Sequence, residues 1–235
     1  MIIDFVQLSQ QCAPNVDVPV ASAIVKSESS FNPFAIGVNK GGRLDKQPKT
    51  YNEAVSIAKK LIAQGKNIDM GLGQINSANL RRLNLSVEQV LDPCINLGAM
   101  QKILNECRSR ASGNDLYQAF SCYNTGNHSS GFRNGYVAKV SNNLNYFANS
   151  NNRPMSINFA PEFNTRSLDS EGLAAFANSA DMPTNLPVSY QQQTQTSVQP
   201  QTTQYVQQRQ SEIFFISEHA STASGGGKYR SSMIF

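Results

Sequence analysis

Glu28 is the first residue that invites a chemical reading. It stands in Glu28-Ser29-Ser30-Phe31-Asn32-Pro33, late in a segment that begins at Pro19. Proline suits a first helical turn. Val20, Ala23, Ile24 and Ser27 then share a face, and the residue before Pro33 avoids the α region. A helix should therefore start at Pro19 and stop before Asn32. Glu28 falls at its C-terminal end, where exposed carbonyls carry partial negative charge. A partly buried carboxyl there has its charged form disfavoured and its pKa raised, as a general acid needs near neutral pH. The plain alternative is a solvated surface glutamate. Three more clusters follow in order: Gly71-Leu72-Gly73-Gln74-Ile75-Asn76, Tyr123-Asn124-Thr125-Gly126 and Tyr136-Val137-Ala138-Lys139-Val140. Amides and phenols offer donors and acceptors, and aromatic faces cover apolar ring surfaces. Tyr123 could equally be a core aromatic, and Asn124 a helix C-cap.

These residues need elements to hold them, and residues 1–150 read as helices. Thr50-Tyr51-Asn52-Glu53 is a capping box opening a helix with Ala54, Ile57, Ala58 and Leu61 inward, ended by Gly65. Asp92-Pro93 starts a longer helix with Leu97, Met100, Ile103, Leu104 and Cys107 on one face, ended near Gly113. Asn114 caps another through Ala119 and Phe120 to Tyr123, with Gly126 beyond. Val137, Val140, Leu144 and Phe147 mark a last one. No convincing alternating strand is visible, apart from a short hairpin or irregular stretch allowed for in 37–49. The fold class is mainly α, a single helical domain.

Composition breaks near residue 150. Half of residues 191–210 are Gln, and a Ser/Gly-rich stretch ends at Gly225-Gly226-Gly227. Such a segment cannot bury enough apolar surface to offset its ordering entropy, so 151–235 reads as a largely disordered, low-complexity tail, with a transient helix at 167–178. Residues 1–150 carry 15 Lys+Arg against 10 Asp+Glu, a net of +5; 151–235 carry 5 against 6, a net of −1. The first part suits an anionic polymer, but no basic cluster is dense enough for nucleic acid. No apolar run is long enough to span a membrane. Cys12, Cys94, Cys107 and Cys122 fit no zinc spacing, and neither metal nor organic cofactor is implied. They are either four buried thiols or two disulfides. If oxidised, Cys107 pairs with Cys122 across consecutive helices joined by a short turn, and Cys12 with Cys94.

Four motifs in this order resemble the catalytic domains of soluble lytic transglycosylases, relatives of goose-type lysozyme. Cys12-Ala13-Pro14 and Phe34-Ala35-Ile36-Gly37-Val38-Asn39 are similar to the branch that accompanies type IV secretion and conjugation machines. The resemblance covers about residues 1–148. It implies a lysozyme-like fold, peptidoglycan as substrate and Glu28 as the acid, with Ser29 as a hydrogen-bonding support. It implies that Gly71, Leu72, Gln74 and Asn76 lie along the sugar cleft. It further implies that Tyr123 and Asn124 supply an aromatic face and an amide, and that Tyr136 stands near Glu28. Typical members carry two serines where this chain has Gly37 and Asn39, and Asn39 is expected to donate to a substrate N-acetyl carbonyl. Typical members also bridge to the Gly71 motif by a short loop. The inserted helix here is expected to wall one side of the cleft, or only to pack.

The substrate places the protein in the periplasm, whereas Met-Ile-Ile-Asp-Phe-Val-Gln lacks the marks of a secretory signal. Partners implied are glycan strands and, through the tail, secretion components. Asp69 and Asp45 are the only further carboxylates near a motif, and both are expected in loops. One carboxylate suffices for ring closure by the sugar's own hydroxyl. A hydrolytic lysozyme, phage-derived for example, would need a second. A non-catalytic glycan-binding assembly protein is the third reading.

Overall fold

In the computed structural model, which describes residues 2–149 and 157–158, most of the long helices are opened by a side chain that answers their free N–H groups or by proline. Ile2–Ile3 forms β1, and Asp4 then caps α1 (Phe5–Cys12), accepting from Val6 N–H at 2.7 Å. Pro19 sits in the first turn of α2 (Val18–Glu28), as expected. Thr50 accepts from Glu53 N–H at the start of α3 (Tyr51–Ala63), but Glu53 Oε2 reaches past the cap to Lys49 N–H at 2.8 Å. Asp92 accepts from Cys94 and Ile95 to open α6 (Pro93–Ser109). The cap of α7 (Leu116–Thr125) is Asp115, accepting from Gln118 N–H, and not Asn114; Asn114 lies in a 3₁₀ turn just before it. Gly126 closes α7 in the left-handed region. The short helices α4 (Leu80–Leu83), α5 (Val87–Val90) and α8 (Ser130–Arg133) link the longer ones, and α9 (Tyr136–Ala148) is the last described helix.

The chain is mainly helical, as its periodicity implied. It also contains a sheet that no alternation announced. β2 (Ile36–Val38), β3 (Ile68–Met70) and β4 (Ile75–Asn76) form an antiparallel sheet with Gly37 opposite Asp69 and Asp69 opposite Asn76. The strands are two or three residues long, and β3 is buried on both faces, so no period of two could show. The strand partner of 36–38 lies beyond α3. The stretch after it is a loop whose Gln47 side chain pairs with both the N–H and the C=O of Ile36. The inserted helix α3 packs on β3 and α5, burying Ala54 and Ala58, with Tyr51 Oη on Glu88 O at 2.9 Å and an ion pair from Lys59 to Glu88.

β5 (Ile157–Asn158) pairs antiparallel with β1, and Ile157 is buried. Described structure therefore continues past the composition break at 150. The remaining tail, with the helix expected at 167–178, lies outside the described residues.

The core forms where α6 meets α1 and α7, and where α2 meets α9. Both disulfides are present: Cys12–Cys94 ties α1 to α6, and Cys107–Cys122 ties α6 to α7, with Cα separations of 5.1 and 5.6 Å. Their sequence separations are 82 and 15. By chain entropy these loops correspond to about 4.5 and about 3 kcal/mol. Urea unfolding should therefore show the paired change Cys12→Ala/Cys94→Ala costing more than Cys107→Ala/Cys122→Ala. A loss under about 1 kcal/mol for the first pair would contradict the cross-link's role.

Candidate active site

Helix α2 ends on Glu28, which is half-buried. Its carboxyl is met by α9, where the hydroxyl of Tyr136 donates to Glu28 Oε1 at 2.5 Å. Tyr136 is 3% exposed, and its hydroxyl holds its proton well above the ordinary tyrosine range. Burial is the main cause, followed by the charge of Glu28. The phenol is therefore a fixed donor at neutral pH. Ser29 faces back along its own helix, giving both its N–H and its Oγ to Val25 O at 3.0 and 3.2 Å.

The chain then turns sharply. Ser30 and Phe31 both sit in the left-handed region, with φ of 52° and 66°. Each such residue costs on the order of 1–3 kcal/mol unless its surroundings compel it. Here Phe31 is locked edge-on between Phe5 and Phe147, with centroids 5.0 and 6.0 Å away. The strain thus sits next to Glu28, and an aromatic cluster from α1 and α9 maintains it.

The Gly71–Asn76 segment is held by a second set of polar contacts. Gly71 has φ of 77°, and a Cβ there would lie 2.3 Å from Asn96 Nδ2, so only glycine fits. Asn96, fully buried on α6, gives Nδ2 to Met70 O and Val90 O and takes Gly73 N–H at 2.7 Å. Tyr123, also fully buried, donates its hydroxyl to Gly73 O at 2.7 Å. Tyr123 keeps its proton well above the usual range, through burial first and then the charges of Glu28 and Asp69. Gln74 has φ of 50° and spends Nε2 on Ala35 O and Gly71 O at 3.0 and 2.9 Å. Its Oε1 is left facing the Cα of Gly37.

Around Asp69 an amide cluster closes. Asn39 Nδ2 donates to Asn67 Oδ1 at 2.6 Å and Asp69 Oδ2 at 3.0 Å; Asn76 Nδ2 donates to Asp69 Oδ1 and Asn67 Oδ1, each at 2.7 Å. Asp69 is 2% exposed, and burial lifts its carboxyl to about 7 against the lowering pull of Asn76 and Asn39.

Each residue singled out in the sequence thus has a definite place. Glu28 and Tyr136 meet. Gly71, Gln74 and Tyr123 build one turn, and Asn39 and Asn76 join through Asp69. Leu72 is fully buried, and Asn124 is nearly so, its Oδ1 accepting from Asn134. Tyr123 presents no exposed ring face. Both Nδ2 hydrogens of Asn39 are already donated within the protein. Asp45 lies in an exposed loop as expected, whereas Asp69 lies in a strand. Sequence reasoning missed Asn67, Asn96 and Asn143, and gave no role to Lys139 within its motif. Asn96 carried a signal, since it interrupts an apolar stripe shared with Met100, Ile103 and Cys107. Among the described residues no cluster of His, Cys, Asp and Glu could hold a metal ion, and no helix is long and apolar enough to cross a membrane.

The Transglycosylase SLT domain matches residues 6–145, which include Glu28, Tyr136, the Gly71–Asn76 turn and the Asp69 cluster. The chain belongs to that family. Among its relatives, the type IV secretion system protein virB1 of Brucella abortus biovar 1 (strain 9-941) is 43% identical over 151 residues, 59% of this chain and 63% of that protein. Protein virB1 of Rhizobium radiobacter is 37% identical over 145 residues, 58% of this chain and 59% of that protein. Protein virB1 of Agrobacterium fabrum (strain C58 / ATCC 33970) is 34% identical over 145 residues, 58% of each. The matched stretch spans less than two thirds of these relatives' length. No solved structure matches.

In this SLT domain Asp69 makes stability depend on pH. Its carboxyl titrates at an ordinary 3.8 when unfolded and at about 7 when folded. As pH rises the unfolded chain ionises first, so the folded state holds the extra proton. The contribution is full below the unfolded value and is lost as pH climbs through the folded one, by as much as about 4 kcal/mol. Asp69→Asn should flatten the stability profile between pH 4 and 7 in urea titrations. An unchanged slope would contradict the buried-acid assignment.

Proposed function

We propose that this domain cleaves the β-1,4 bond between N-acetylmuramic acid and N-acetylglucosamine in peptidoglycan, closing a 1,6-anhydro ring. The observation that carries the reading is Glu28, a half-buried carboxyl at a helix end, clamped by the Tyr136 hydroxyl. Protonated Glu28 gives its proton to the bridging oxygen, and the C1–O bond breaks. The substrate's N-acetyl group stabilises the positive charge at C1. Ionised Glu28 then takes the proton of the C6 hydroxyl as O6 attacks C1, which restores the acid and consumes no water. An internal nucleophile held in place has an effective concentration on the order of 10⁵ M or more, enough to outrun solvent. No metal or cofactor enters these steps.

The other site residues supply shape and polarity. The turn at Gly71–Gln74, tied down by Asn96 and Tyr123, sets the wall of the cleft near Glu28. Asn39, half-exposed with both Nδ2 hydrogens donated, would offer its Oδ1 to a sugar hydrogen, whereas Gln74 and Asn76 are buried and hold the turn and the Asp69 cluster. Asp69 is committed to two amides and buried, which favours ring closure over water activation.

The virB1 names of the relatives support a role in type IV secretion, where the enzyme would open the wall locally for the apparatus. Two disulfides suit an oxidising compartment, and the periplasm is where the substrate lies. We assign the chemistry to residues 1–150 and contacts with secretion components to the Gln-rich residues 151–235.

Digestion of purified peptidoglycan tests the reading. Wild-type protein should release muropeptides ending in 1,6-anhydro-N-acetylmuramic acid, one water lighter by mass than hydrolysis products. Glu28→Gln should keep the fold and glycan binding and lose nearly all turnover, since the amide is close in shape but exchanges no proton. Reducing-end products as the main species would replace ring closure with hydrolysis. Glycan binding without products would leave an assembly protein.

A further inference from the structure

We propose that Lys139 and Asn143 are positioning residues that fix Glu28 through Ser27, the residue before it. The inference rests on the reading of Glu28 as the acid. Ser27 is buried, and its carbonyl is among the last of α2, with no donor left inside the helix. Lys139 Nζ fills that place, donating to Ser27 O at 2.5 Å. A cation is favoured at a helix C-terminus, and this one also holds the peptide plane from which Glu28 departs. Asn143 Nδ2 donates to Ser27 Oγ at 2.8 Å, while Ser27 Oγ donates to Ala23 O at 2.7 Å. Ser27 is therefore gripped at its carbonyl and at its side chain.

The grip belongs to a longer stripe. Tyr136, Lys139, Asn143 and Phe147 follow each other at three- and four-residue spacing along one face of α9. They meet Glu28, Ser27 and Phe31, in a continuous run around the acid. Packing alone would be served by apolar side chains at 139 and 143. A half-buried lysine loses much rotamer freedom and gains little area, so its use here is directional.

The test compares Lys139→Met, Lys139→Arg and Asn143→Ala in the full chain on soluble uncrosslinked glycan strands. Thermal unfolding is followed alongside, as is the NMR resonance of the Tyr136 hydroxyl proton, which a buried short hydrogen bond keeps in slow exchange. Lys139→Met should lower kcat about 10–100-fold with KM within about twofold. It should weaken or erase the Tyr136 resonance, and Lys139→Arg should restore most of both. Asn143→Ala should shift both in the same direction by less, and it serves if Lys139→Met fails to fold. Folded variants with wild-type kcat and an intact resonance would overturn the proposal. If the wild-type protein cleaves nothing, the functional reading fails, and the resonance alone still decides whether Lys139 and Asn143 position Glu28.

Discussion

Everything at this site depends on α9 lying against the C-terminal end of α2. A carboxyl at a helix end is free to point into water, and there it is an ordinary surface acid. The Tyr136 hydroxyl removes that freedom by meeting Glu28 from a buried position that holds its proton well above the ordinary tyrosine range. The constraint reaches outward in both directions. Towards the N-terminus, Lys139 and Asn143 hold Ser27; beyond the acid, Phe147 holds Phe31 in a backbone state that no intrinsic preference favours. α1 enters the same cluster through Phe5, so the first described helix and the last are both committed to one turn of chain.

The Gly71–Gln74 turn is held in a different way. There buried side chains, Asn96 and Tyr123, hold the backbone. Asn96 makes three hydrogen bonds to the backbone of Met70, Gly73 and Val90, and each would otherwise leave a buried group unpaired at about 1–3 kcal/mol. Asp69 belongs to the same network but is held neutral more readily than its type suggests, because burial outweighs the amides that favour its charge. Two carboxyls on one domain thus have different environments: one half-buried and met by a phenol, one enclosed and met by amides.

How much of this was legible follows from what a sequence can encode locally. Caps and helix faces are local, so Thr50, Asp92, Gly126 and the apolar stripe of α6 announced their helices. The order of the four motifs and the nearness of Tyr136 to Glu28 were also visible, since the resemblance carries them together. Strands of two or three residues have no period to read, and β3 hides both faces. The use of an amide is less legible still. Asn39 was expected to donate to substrate, yet both of its hydrogens are taken by Asn67 and Asp69, residues far away in the chain. Residue type tells which bonds an asparagine can make; only the fold tells which are already made.

The most direct measurement is the turnover of Tyr136→Phe on purified peptidoglycan, read beside its thermal unfolding. The change deletes one oxygen and leaves the ring's packing in place. If the hydrogen bond to Glu28 organises the site, turnover should fall at least about tenfold while the domain stays folded, in line with the cost of misplacing a catalytic group. A folded Tyr136→Phe protein that cleaves at the wild-type rate would contradict the account.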